Sequence, residues 1–331
     1  MKTIAISLLS LVFLVASCKQ EQKQLKTETS EDVSNVTEEK SIVKFEGNFV
    51  SDGYFKRSEG YDWVAVKITQ VDSTKAKVQI RSRADKKRPT CTCDTDIFKV
   101  NDSTYHSFLG QTRVLFTVNG NILNISADDP SQNDNLGFYC SGGGNLSGDY
   151  ELIHEALDES QIDQTAFAKS FHLQGIDFYV TSVKEEYQYK VTITPSGLEI
   201  DNQPVTFYTD DYVIDAEIED LNSDGSPELL IYTQSVGSGS YGNVYGYSVN
   251  NKKSMSEIYF PPIAENTKVN QGYMGHDEFA IVETTLVQRF PVYNEGDANA
   301  NPTGGKRQIQ YKLIDGEASR KFVIDRVLDF K

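Results

Sequence analysis

The sequence predicts an all-β protein with two antiparallel domains: a small barrel or sandwich over residues 45–153, then a β-sandwich over 154–331. Three observations carry that prediction. Apolar and polar residues alternate with a period of two along most of the chain, which places one face of each run in a core. Clusters of Asp, Asn, Gly and Ser separate the runs at short intervals, as hairpin turns require. Only one segment, "HEALDESQIDQTAFAKS" from His154 to Ser170, reads as helix-like, and part of it reads as linker.

The chain opens with Lys2, the apolar run "IAISLLSLVFLVA" and the small residues "VAS" before Cys18. That run is too short for a membrane span and suits a secretory signal over residues 1–17. "VASC" looks like the lipobox of bacterial lipoproteins, so Cys18 is expected to carry lipid and to anchor the mature protein at the outer membrane, facing the periplasm or the surface. Residues 18–44 hold no aromatic side chain and few aliphatics, the composition of a solvated tether.

In the first domain "WVAVKITQV", "KAKVQIRSR", "RVLFTVNG" and "NILNISADD" read as strands, with "NGN" at 119–121 as a hairpin turn. In the second, "GIDFYVTSV", "YKVTITPSG", "PVTFYTDD", "YVIDAEIED", "ELLIYTQSV", "NVYGYSVN", "EFAIVETTLVQRFPVYN", "RQIQYKLI" and "KFVIDRVLDF" follow the same pattern.

Charge is uneven between the two. Residues 155–331 carry 28 acids and 14 bases, whereas 45–154 carry 14 and 12. Such acidity argues against nucleic acid and anionic lipid as partners, leaves the lipid anchor as the expected membrane contact, and fits either a basic protein partner or solubility alone. Of the cysteines left after processing, Cys140 is expected to pair with Cys91 or Cys93 in an oxidising compartment.

Few residues suggest catalysis. No metal-binding His pair, nucleophile elbow or phosphate loop occurs, and "GHDEF", with His276, Asp277 and Glu278, is the only acid–base cluster, so no enzyme is expected. "DLNSDGSPELLIY" places oxygen side chains at Asp220, Asn222, Asp224 and Glu228 around Gly225. That spacing fits either a short calcium loop or an ion-free Asx turn whose carboxylates take backbone amides. A calcium-stabilised envelope module binding glycan or protein is the alternative function it suggests.

The segment "YTQSVGSGSYGNVYGYSVN", Tyr232 to Asn250, has no charged residue in an otherwise acidic domain. Its composition fits either a plain flexible hairpin loop or a contact loop, whose Gly, Ser and Tyr residues offer close approach and hydroxyls at low entropic cost and which enters a cleft without desolvating an ion. Together with "TITPSGLEIDNQPV", "AEIEDLNSDGSPELLIY", "GYMGHDEFAIVE", "RFPVYNEGDANANPTGGKRQIQYKL" and "DRVLDF", this stretch resembles the periplasmic inhibitors of invertebrate-type lysozyme, over about residues 166–331. The resemblance implies a β-sandwich whose Ser-Gly-x-Tyr motif, on Ser238, Gly239, Ser240 and Tyr241, enters the lysozyme cleft. It also implies help from a basic residue, for which Lys252, Lys253, Arg289 and Arg307 are candidates. Ser147-Gly148-Asp149-Tyr150 spells the motif a second time, either by chance or as a second inhibitor module. Self-association through the sandwich edges, giving a homodimer, stays open.

Overall fold

The computed structural model describes residues 45–85 and 88–331, and all of them lie within one contact unit, residues 43–331. The expected signal peptide, the lipidated Cys18 and the tether over 18–44 lie outside the described residues. Among those described, no helix is long and apolar enough to cross a membrane.

Among the described residues the alternating runs form twenty antiparallel strands. The first eight are β1 (Gly47–Val50), β2 (Val64–Gln70), β3 (Lys75–Ser82), β4 (Cys93–Asn101), β5 (Thr104–Leu109), β6 (Thr112–Asn119), β7 (Ile122–Ala127) and β8 (Gly148–Ile153). They close into a barrel when β1 pairs with β8, through Asn48↔Ile153, Phe49↔Leu152 and Val50↔Glu151. Closure removes every free strand edge, which decides between the two expectations for this domain in favour of the barrel. Alternate residues fill it: Val114, Phe116 and Val118 of β6 point inward against Phe49, Val66, Ile80 and Ile125. The "NGN" turn is the β6–β7 hairpin, where Gly120 takes φ +60°, a value open to glycine at no steric cost.

Cys140 pairs with Cys91 and leaves Cys93 as a free, buried thiol. The bond closes a loop of 49 residues, a constraint on the unfolded chain of about 4 kcal/mol in the chain-entropy account. It also fixes the end of the 3-10 segment Pro130–Tyr139 against the barrel.

The helix-like segment from His154 is not helical. It runs as turns into β9 (Thr165–Leu173). Asp158 accepts from the Ser160 amide and Asp163 from the Thr165 amide, local bonds that compete with a helical ladder. Beyond them Phe167 and Phe171 point into the core, as a strand demands.

The rest of the chain forms three meandering sheets. Sheet 1 comprises β9, β10 (Ile176–Glu185), β11 (Gln188–Ser196) and β12 (Val205–Thr209). Sheet 2 comprises β13 (Tyr212–Glu219), β14 (Glu228–Gln234), β15 (Gly242–Asn250) and β16 (Ser254–Ile258). Sheet 3 comprises β17 (Glu278–Val282), β18 (Thr285–Pro291), β19 (Lys306–Ile314) and β20 (Lys321–Phe330). The long run "EFAIVETTLVQRFPVYN" is two strands, folded back at Glu283, φ +56°.

The expected sandwich is thus a stack of three sheets with sheet 2 in the middle. In β14, Leu229 and Ile231 pack toward sheet 1 while Leu230 and Tyr232 pack toward sheet 3. A strand covered on both faces must be apolar at every position, which explains the continuous "LLIY". Barrel and stack are tied by charge. Asp94 on β4 accepts two bonds from Arg81, at 2.7 and 2.9 Å, and one from the Ala168 amide of β9 at 2.7 Å. Lys169 then bridges Asp96 of the barrel and Asp215 of sheet 2.

Candidate functional site

The uncharged loop lies between β14 and β15, at one end of sheet 2. Glu228 and Gln234 bound β14, and pairing continues to Gln234↔Gly242, so residues 235–241 stand beyond the ladder. The loop closes on itself: the Ser235 amide donates to the Tyr241 carbonyl at 2.8 Å, and the Tyr241 amide donates to Ser235 Oγ at 2.9 Å. Ser240 takes the left-handed region at φ +43°, and its amide donates to the Gly237 carbonyl. Val236, Gly237 and Ser238 are exposed at the tip, and the Tyr241 ring is 47% exposed.

Two neighbouring loops brace this tip. The first is Gly272–His276. The His276 amide donates to the Gly239 carbonyl at 2.6 Å, and the Tyr241 ring packs edge-on to Tyr273, with centroids 5.7 Å apart. Gly275 (φ +87°) must be glycine, since a Cβ there would sit 2.1 Å from the Gly239 carbonyl oxygen. The second is the turn around Asn299. Its side-chain amide donates to the Ser238 carbonyl at 2.8 Å, its Oδ1 lies 3.1 Å from His276 Nε2, and its carbonyl accepts from the Tyr293 hydroxyl.

Beneath the loop lies Asp277, 3% exposed. It accepts from the Gly242 amide at 2.8 Å, the Tyr273 hydroxyl at 2.7 Å and the Gln288 side-chain amide at 2.7 Å. Gln288 in turn accepts from the buried Tyr311 hydroxyl at 2.6 Å. Burial pushes the Asp277 carboxyl above its ordinary value, against the pull of these donors. The chain therefore places "GHDEF" under the uncharged loop, where Asp277 holds the first residue of β15. Gly242 allows that contact, because a Cβ would come within 2.8 Å of Asp277 Cβ and 2.7 Å of the Phe279 ring.

The basic candidates differ in placement: Lys252 and Lys253 lie away from the loop, whereas Arg289 and Arg307 lie on sheet 3 with partners of their own. Lys252 and Lys253 occupy the β15–β16 turn, at the far end of β15, about 25 Å along the strand from Gly242. Arg289 alternates with Gln288, so it faces away from sheet 2 and donates to Gln308 Oε1 at 2.6 Å. Arg307 is held by Asp329 and by the Val269 and Gln271 carbonyls. The second Ser-Gly-x-Tyr lies in and beside β8, where Tyr150 is 4% exposed inside the barrel and donates to the Leu146 carbonyl. That copy presents no tyrosine to a partner.

At the opposite end of sheet 2, Asp220, Asn222, Asp224 and Glu228 form a closed turn. Asp220 accepts from the Asp224 and Gly225 amides, both at 2.9 Å, Asp224 from the Ser226 amide, and Glu228 from the Leu221 amide. The Arg320 guanidinium reaches in to pair with Asp224 and Glu228. It supplies the positive charge that a hard cation would supply, and a calcium ion would have to displace it. The side chains therefore suit an internal ion-pair cluster better than calcium. Among the described residues, no group of three or more His, Cys, Asp or Glu side chains is arranged to hold a metal.

Sequence reasoning missed the bracing residues Tyr273, Gln288, Asn299 and Tyr311. No local signal in the sequence marks Tyr273, Gln288, Asn299 or Tyr311, because each acts only through contacts with residues far away in the chain.

No family model matches the chain, and no curated protein does. Among solved structures, the Bombyx mori GH32 beta-fructofuranosidase BmSUC1 is similar over 79% of this chain and 60% of that one, with 9% identity and a TM-score of 0.25. The chain spans less than two thirds of that enzyme, and a likeness of this size carries no argument.

Proposed function

We propose that this protein is a lipid-anchored inhibitor of invertebrate-type lysozyme, acting by insertion of the Ser238–Tyr241 loop into the enzyme's cleft. The observation that carries the reading is the loop itself: an uncharged tip with an exposed tyrosine, standing beyond the strand ladder and braced by Asp277, His276 and Asn299. A loop held in its binding conformation before contact loses little entropy on association. Its hydroxyls can donate to the paired carboxylates that glycosidase clefts contain, in place of sugar. Sequence resemblance across about residues 166–331 supplies the partner.

The test is inhibition of purified invertebrate-type lysozyme by the whole protein. Ser238→Ala with Tyr241→Ala is expected to weaken inhibition at least tenfold while the far-UV spectrum stays unchanged, because both side chains lie in a loop outside the strand ladder. Full lysozyme activity at large molar excess of the unaltered protein would sink the proposal. His276→Ala serves as the control for the competing hydrolase reading, which predicts turnover of a substrate lost with the imidazole.

A further inference from the structure

An open cleft of ≈ 490 Å³ separates the barrel from sheet 1, within the range of roughly 300–1,000 Å³ usual for small-molecule sites. Its floor is the outward face of sheet 1. The registers Ser170↔Tyr179↔Thr194 and His172↔Asp177↔Ser196 set two polar rows side by side, while Phe171, Phe178 and Ile193 on the same strands point into the core. The wall comes from the barrel: Gln111 from the β5–β6 turn, and Asn135 and Phe138 from the 3-10 segment that the Cys91–Cys140 bond holds in place.

Phe138 is 71% exposed, yet its ring is fixed edge-on against Tyr139 at 5.2 Å and Tyr179 at 6.3 Å. The Tyr179 hydroxyl is already used, donating to the Thr92 carbonyl. What faces the cleft is an apolar ring beside hydroxyl, amide and carboxylate groups. No lysine or arginine lines it, so an anion finds no counter-charge there. The single carboxylate, Asp177, lies 2.7 Å from His172 Nδ1, which leaves its other oxygen for a donor. A ligand suited to these groups has one flat C–H face and a rim of uncharged hydroxyls.

We propose that this cleft binds a neutral saccharide, with one pyranose ring stacked on Phe138 and its hydroxyls held by Asp177, Asn135 and Gln111. The site is separate from the uncharged loop. The β9–β10 turn at its edge bonds through Gln174 to Asp220, at the end of sheet 2 remote from residues 235–241. Neither proposal depends on the other.

Saturation-transfer NMR and titration of the purified protein with chitotetraose, cellotetraose and a tetragalacturonate test this. One of the two neutral oligomers is expected to saturate the protein below about 10 mM, and the acidic oligomer to bind more weakly. Phe138→Ala should weaken that binding at least tenfold and Phe138→Trp should retain it, with Asp177→Asn intermediate. Lysozyme inhibition should be unaffected by all three. Absence of transfer from both neutral oligomers, tighter binding of the acidic one, or wild-type binding by Phe138→Ala would each overturn the assignment. Because Phe138→Trp keeps the ring, unfolding of the alanine variant leaves the result readable.

Discussion

Asp277 accepts three hydrogen bonds with two oxygens, and two of the donors, the Gly242 amide and the Tyr273 hydroxyl, lie at the uncharged loop. Asn at this position keeps the size but turns one acceptor into a donor that would face another donor. Leaving a buried donor unpaired costs about 1–3 kcal/mol. Asp277→Asn is therefore expected to lower stability by about that amount, read by chemical denaturation, and to weaken lysozyme inhibition through the Gly242 anchor. A variant with native stability and full inhibition would show that the carboxylate does not brace the loop. Composition alone marked Asp277 as one of a cluster of acid–base groups. Its burial could not be read from "GHDEF", since three polar residues in a row look like an exposed turn until Gln288 and Tyr311 from other strands are brought over them.

The hairpin β13–β14, with its Asp220–Glu228 turn, is the element where charge is most concentrated. Glu228 is fully buried, and burial raises its carboxyl to about 7 despite donors from Ser248, Leu221 and Arg320. A carboxyl whose folded value lies above its unfolded value keeps a proton that the unfolded chain gives up. Its contribution is complete below about pH 4.5 and is lost as pH rises through about 7. Unfolding free energy should therefore fall across that window by about 1–3 kcal/mol relative to Glu228→Gln, measured by urea titration of both proteins at several pH values. Parallel pH profiles for the two would refute it. Chelator is expected to leave the thermal midpoint unmoved, whereas Arg320→Ala lowers it, since the guanidinium stands where a cation would. The spacing of oxygen side chains was legible in this element. The arginine lies 96 residues beyond Asp224 in sequence and enters only when β20 folds against sheet 2.

Across the whole molecule, the acids concentrate in the three-sheet stack and the barrel is close to neutral. If the proposed function holds, a surface of this kind would draw in a basic enzyme at long range, and the uncharged tip would make the contact without desolvating an ion. Association with a basic lysozyme should slow about tenfold between low and high salt, while dissociation changes little; surface plasmon resonance across that range checks both. A salt-insensitive association rate would mean that the acidity serves solubility alone. Barrel and stack are joined where the Ala168 amide of β9 donates to Asp94 of β4 and Lys169 bridges Asp96 of β4 and Asp215 of β13 in part-buried ion pairs.

Period-two patterning determined that the chain is all-β, and it placed most of the strands, because alternation is a local property of each segment. It also located the uncharged loop, since missing charge is visible in composition. Barrel closure, the third sheet, the choice of Cys91 over Cys93 and the bracing of Ser238–Tyr241 were decided only by tertiary structure. Each depends on residues far apart in sequence meeting in space, as when Tyr150 of the second Ser-Gly-x-Tyr turns into the barrel while Tyr241 of the first stays at the surface. Four letters cannot tell those two sites apart. The burial of one and the exposure of the other are set by the strands around them.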